Sequence, residues 1–188
     1  ASLVRDEPTP FQMHNGEIWN PQNADGDYLG QIPLRTALAR SRNVVSVRLL
    51  NEVGLERAEA FARAAGIETP MTENLTAALG STEVPVLELV NAYATLASGG
   101  IRQTPILVTS VTDRAGQVVW EPALERAQAI DSDVAFVLTS MLASVVEQGT
   151  ARAARALGRS AAGKTGTTNE ARDAWFVGFT PQLVAGGG

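Results

Sequence analysis

The stretch Ser160-Ala-Ala-Gly-Lys-Thr-Gly-Thr-Thr-Asn169 admits two incompatible readings, and the choice between them decides the fold. It carries the chain's one lysine: of 15 basic side chains, Lys164 stands alone against 14 arginines. An ammonium is a compact charge whose proton affinity shifts with burial, whereas a guanidinium is broad, planar and permanently protonated. Counted backward, Gly158-Arg-Ser-Ala-Ala-Gly-Lys-Thr165 matches the phosphate-loop pattern of a glycine, four residues, then Gly-Lys-Thr. Such a loop needs a strand before it and a helix after it, so that backbone N–H groups and the helix dipole meet the phosphates. Neither flank fits. Ala151-Arg-Ala-Ala-Arg-Ala-Leu157 favours helix, and Ala174-Trp-Phe-Val-Gly-Phe179 is strand-like.

Counted forward, Lys164-Thr-Gly-Thr167 alternates threonines as a strand does, which puts Thr165 and Thr167 on one face. Two hydroxyls beside an ammonium make a carboxylate clamp. Gly166 keeps the surface between them low, so that a substrate backbone can lie along the strand as an added edge.

Size and composition bound the remaining possibilities. The 188 residues, 45% hydrophobic and 19% charged, suit one globular domain or a large part of one. A net charge of −5 argues against a nucleic-acid partner or an anionic membrane surface. With no cysteine and a single histidine, His14, neither a thiolate nor a clustered-histidine metal site is available, and no metal or cofactor is expected. No apolar run is long enough to span a membrane. The Ala-Ser-Leu start and the Gly186-Gly-Gly188 end both read as artificial termini of an excised piece.

Along the chain, residues 1–31 read as an irregular lead segment with short strand pieces around Gln12 and Glu17-Ile-Trp19. Residues 33–105 read as the helical part. Pro33 suits the first helical position, and apolar residues recur at helical spacing from Leu34 to Leu50 before Gly54. Ser41-Arg-Asn43 interrupts that run with two poor helix formers, which predicts two helices broken near residue 41; taken alone, the motif also fits a simple cap between packed helices. Ser81-Thr-Glu83 reads as a cap before a helix from Val86 to Ser98. Residues 106–121 read as a hairpin turning at Asp113-Arg-Ala-Gly116. A long helix is expected over 131–148, burying Val134, Val137, Leu138, Met141, Leu142 and Val145, and strands over 160–185. Helices first and antiparallel strands last point to α+β.

Ser41-Arg-Asn43 and Lys164-Thr-Gly166 are two of the three motifs of the penicillin-recognising serine enzymes. Trp19-Asn-Pro21, Arg35-Thr-Ala-Leu-Ala-Arg-Ser-Arg-Asn-Val-Val45, Ala78-Leu-Gly-Ser81, Gly149-Thr-Ala151 and Gly163-Lys-Thr-Gly-Thr-Thr-Asn169 extend the likeness. The chain resembles the transpeptidase domain of class A penicillin-binding proteins over essentially its whole length, and a β-lactamase much less. The resemblance implies an antiparallel sheet flanked by helices, of the β-lactamase/transpeptidase-like kind, here incomplete.

The family's third motif, Ser-x-x-Lys, which holds its nucleophilic serine and activating lysine, is not among these residues, because Ala161 stands three before Lys164. The family's order would place it before Ala1, with a glycosyltransferase domain and a membrane anchor further upstream. The resemblance implies a peptidoglycan DD-transpeptidase on the periplasmic side of a bacterial inner membrane, acting on stem peptides that end in D-Ala-D-Ala and acylated by β-lactams. It gives Ser41, Asn43 and Lys164 catalytic roles, and it gives Thr165, Gly166, Thr167 and Thr168 substrate-binding roles. The chain alone is expected to be inactive and marginally stable, and to associate with a complementary N-terminal fragment. A module with the same fold that binds a partner without chemistry is the rival reading.

Overall fold

The computed structural model describes residues 2–167 and 174–188. The fold is α+β, with short antiparallel strand pairs and helices set around a three-stranded sheet. The lead segment is more ordered than its prolines and glycines suggest. Strand β1 (Leu3–Asp6) pairs with β4 (Gly30–Pro33), and β2 (Phe11–Gln12) pairs with β3 (Ile18–Trp19). The β1–β4 pair was hidden because its two strands are four residues each and lie far apart in sequence.

Pro33 closes β4 in extended conformation and caps helix α1 (Leu34–Ala39) from outside, one position earlier than expected. Helix α2 (Asn43–Val53) follows after a break at residues 40–42, as the serine and asparagine predict. Val44, Val47 and Leu50 are buried on its inner face. Gly54, at φ 89°, separates α2 from α3 (Leu55–Ala65). Helix α4 (Val86–Ala97) is capped by Pro85 rather than by Ser81, whose hydroxyl pairs with Thr76 at 2.7 Å. The helical part also contains a strand, β5 (Ile101–Gln103), which pairs with β8 (Arg126–Gln128) around the hairpin of β6 (Val111–Thr112) and β7 (Val118–Trp120).

Helix α5 (Ser132–Gln148) starts where Asp131 accepts the backbone N–H groups of Asp133 and Val134. Its buried face differs from the expected one. Leu142 and Val145 are buried, but so are Ala135, Ser144 and Val146, while Val134 and Val137 are exposed. The helix is apolar nearly all round, so spacing does not single out a face; packing against α1 and the lysine-bearing strand does.

That strand is β9 (Ala162–Thr167), at the edge of a sheet ordered β11-β10-β9 with β10 (Ala174–Phe179) at its centre. Strand β11 (Val184–Gly187) runs through two of the glycines read as an artificial tail: Gly186 pairs with Val177 and Gly187 with Phe176. A Cβ on Gly186 would lie 2.8 Å from Val90 on α4, so close packing of sheet on helix accounts for a glycine there. Under the sheet, Leu142, Ala162 and Phe179 form a core cluster against which Tyr93 packs, edge-on to Phe179 at 6.4 Å. Burial pushes the Tyr93 phenol from 10.0 up to about 12. The neutral phenol is therefore favoured in the native state, and its stabilising effect is lost as pH rises above 10 toward 12. Absorbance titration should show Tyr93 ionising near 12 or together with alkaline unfolding; ionisation of Tyr93 near 10 in folded protein would contradict this packing.

Candidate active site

Residues 40–42 and β9 meet across the site. Ser41 sits at φ 53°, the one non-glycine residue in the left-handed region among the described residues. The break between α1 and α2 turns its side chain toward β9, where Lys164 Nζ donates to Ser41 Oγ at 2.8 Å and to its neighbour Thr165's carbonyl at 2.8 Å. Burial pushes the Lys164 ammonium below its ordinary proton affinity. The pair therefore joins a hydroxyl to a lysine that gives up a proton more readily than one in water.

Asn43 opens α2, and its Nδ2 donates to the Gln22 carbonyl at 2.9 Å. Thr165 lies one step along β9, where its Oγ1 is 2.6 Å from the Thr150 hydroxyl. Thr150 was missed as a member of the site, although Gly149-Thr-Ala151 is part of the stretch that carries the family likeness. Its amide donates to the Ala39 carbonyl at 3.1 Å, which ties the end of α1 to the exit of α5 beside the threonine.

Gly166 and Thr167 are exposed at the far end of β9. They and Trp175 line a groove of about 650 Å³ together with the apolar Met71, Leu79 and Val86 and the polar Thr82 and Glu83. The glycines of β9 differ in an informative way. A Cβ on Gly163 would lie 2.7 Å from the Val177 carbonyl, so sheet packing demands glycine there. At Gly166 the nearest atom to such a Cβ is Trp175 Cβ at 3.7 Å, an ordinary contact. Among the described residues, nothing requires a glycine at 166. Thr168 lies outside the described residues.

Between Ser41 and Asn43, the Arg42 side chain turns inward. Its Nε donates to Asp6 Oδ2 at 2.7 Å, its Nη1 to Asp25 Oδ2 at 2.6 Å, and its Nη2 to the Asp27 carbonyl. Burial alone would weaken this charge, but Asp25 and Asp6 outweigh it and hold the guanidinium above its ordinary value. The same hydrogen bond holds the Asp25 carboxyl below the usual range.

The phosphate-loop alternative fails on this geometry. Lys164 lies inside a strand, preceded by a 3-10 turn over Arg152–Leu157. Among the described residues, no cluster of histidine, aspartate or glutamate could hold a metal ion.

The model of the penicillin binding protein transpeptidase domain matches residues 6–185. The chain belongs to this family. Over 193 residues the transpeptidase chain is 40% identical to penicillin-binding protein 1A of Neisseria gonorrhoeae, covering 98% of the chain and 24% of that protein. It thus spans about a quarter of the length of the curated relatives it matches. Among solved structures, penicillin-binding protein 1A from Haemophilus influenzae superposes with a TM-score of 0.90 at 24% identity, over 98% of this chain and 34% of that one, a likeness of fold. PonA1 from Mycobacterium tuberculosis, solved in complex with penicillin V, gives a TM-score of 0.81 at 27% identity, over 98% and 53%.

Proposed function

We propose that these residues form the later part of a peptidoglycan DD-transpeptidase domain that acts through an acyl-serine intermediate on the outer side of a bacterial cytoplasmic membrane. The observation that carries this reading is the 2.8 Å contact between Lys164 and Ser41, residues 123 apart in sequence, at the head of an edge strand that ends in the exposed Gly166-Thr167.

The nucleophile is a serine of a Ser-x-x-Lys motif outside these residues. It attacks the penultimate D-Ala carbonyl of a stem peptide, D-Ala leaves, and an amine of a neighbouring strand takes the acyl group. Ser41 Oγ accepts from Lys164, which leaves its own O–H to donate toward the departing amine. Asn43, fixed at the start of α2, holds the substrate amide. Lys164 keeps the cleft electropositive. Thr165 and Thr167 bind the terminal carboxylate through charge-assisted hydrogen bonds, Thr168 adds to substrate binding, and the Thr167 N–H contributes to the oxyanion hole. Gly166 lets the peptide lie against β9, and β-lactams enter by the same route.

Intact-mass and peptide mapping of the full-length protein after exposure to a fluorescent penicillin tests this. The adduct should fall on a serine outside residues 1–188. An adduct on Ser41 would instead make the Ser41–Lys164 pair the nucleophile and its base, and no adduct at all would leave a binding module without chemistry. Gly166→Ala is a finer probe. Its melting midpoint should stay within about 2 °C of the parent's because the methyl has room, while acylation slows by about tenfold or more as the strand surface is raised. Equal acylation rates would remove Gly166 from the site.

A further inference from the structure

We infer that Arg42, the middle residue of Ser41-Arg-Asn43, is a positioning residue that holds the Ser41 hydroxyl on Lys164 through a buried clamp to the lead segment. The inference rests on the proposed reaction and adds to it a residue that touches neither substrate nor Lys164.

Ser41 occupies a backbone region that L side chains avoid, and such a conformation persists only where the surroundings over-determine it. The preceding helix supplies part of that constraint: the Ser41 N–H donates to Leu38 O at 3.1 Å and the Arg42 N–H to Ala37 O at 3.0 Å. These bonds act only on the backbone before and within the turn. On the far side the Ser46 N–H and Oγ donate to the Arg42 carbonyl, and a further constraint comes from the Arg42 side chain, which is 3% exposed and bound to Asp6, which is 0% exposed. A planar fork held at Nε by one carboxylate and at Nη1 by another cannot rotate without breaking both bonds.

Asp6 is itself held. Its Oδ1 accepts Asn23 Nδ2 at 2.8 Å, and its Oδ2 accepts the Leu29 N–H at 3.0 Å. Asn23 then reaches back with Oδ1 to the Val44 N–H at 3.3 Å, in the first turn of α2. An arginine at the capping position offers no acceptor for those N–H groups, so a side chain 21 residues away serves instead. Residues 22–29 and Asp6 thus grip the motif at Arg42, Asn43 and Val44, and Ser41 is presented from a turn with both sides fixed.

The test is a double-mutant cycle in the full-length protein, read as the second-order rate of acylation by a fluorescent penicillin. Arg42→Lys keeps the charge and loses the fork; it should acylate about tenfold more slowly than the parent. Asp25→Asn, on the solvent side of the clamp, should fold normally and slow acylation by about threefold. In a Ser41→Ala background each of these losses should shrink to within about twofold, since a residue that acts through the serine has nothing left to position. Parent-like rates in both clamp variants, or losses undiminished by Ser41→Ala, would overturn the inference. If Arg42→Lys does not fold, Asp25→Asn decides by the same cycle. A parent protein that takes no label would instead bring down the proposed reaction, and this inference with it.

Discussion

Replacing Lys164 with alanine in the full-length protein is expected to slow acylation by a labelled penicillin by about 100-fold or more, the usual cost of losing one preorganised donor in a water-poor site. The ammonium touches the Ser41 hydroxyl and shares an edge strand with the threonines proposed to bind the substrate carboxylate, so on that reading its loss removes both the proton partner and the positive field. The folded state should not suffer equally. Lys164 is a partly desolvated cation, and exchanging it for a methyl relieves that desolvation, so the melting temperature should hold or rise. Lys164→Arg should be nearly as slow as the alanine variant, because a wide guanidinium cannot occupy the place of a point charge or take part in proton transfer. Stopped-flow acylation rates beside thermal melts would separate these effects; a Lys164→Ala rate within threefold of the parent would remove the lysine from the mechanism.

The second large effect is on stability, at Gly149. A Cβ there would lie 2.1 Å from the Ala39 carbonyl oxygen and 2.8 Å from that of Val145, both backbone atoms with little freedom to move. Gly149→Ala should therefore destabilise the domain by about 3 kcal/mol or more, the upper range of overpacking, in urea titration of the full-length protein. The same displacement pushes the end of α1, two residues before Ser41, away from Thr150 and the strand it touches. Molecules that remain folded should thus acylate slowly as well. A Gly149→Ala protein with parent-like urea midpoint and rate would show that the two backbones are not held this close.

What could be read without coordinates was what local chemistry writes into local sequence. Serine and asparagine inside an apolar helical run announced the break that places Ser41, and alternating threonines announced β9. The two halves of the site could be paired only through family likeness, since no periodicity links residues 123 apart. The clamp was illegible for the same reason: Asp6 sits in a four-residue strand within a proline-rich stretch, and Arg42 reads as the motif's unspecified middle position. The inner face of α5 was only partly assigned, Leu142 and Val145 correctly and Val134 and Val137 not, because a helix apolar nearly all round gives periodicity little to select. That Gly186 and Gly187 pair as strand was illegible too, because strand pairing across a sheet leaves no mark on glycines.

The spacing of the contacts also has a temporal side. Asp6 and Arg42 are 36 residues apart, and Asn23 and Val44 are 21 apart, whereas Ser41 and Lys164 are 123 apart. Closing the shorter loops costs less chain entropy, and contacts between near neighbours in sequence form sooner. During synthesis Asp6 and Asn23 also leave the ribosome before Arg42 does, and Lys164 leaves long after all three. The serine turn is therefore expected to set first and wait for its lysine. Pulse-labelled hydrogen exchange during refolding would read that order as earlier protection of the Val44 amide than of the β9 amides.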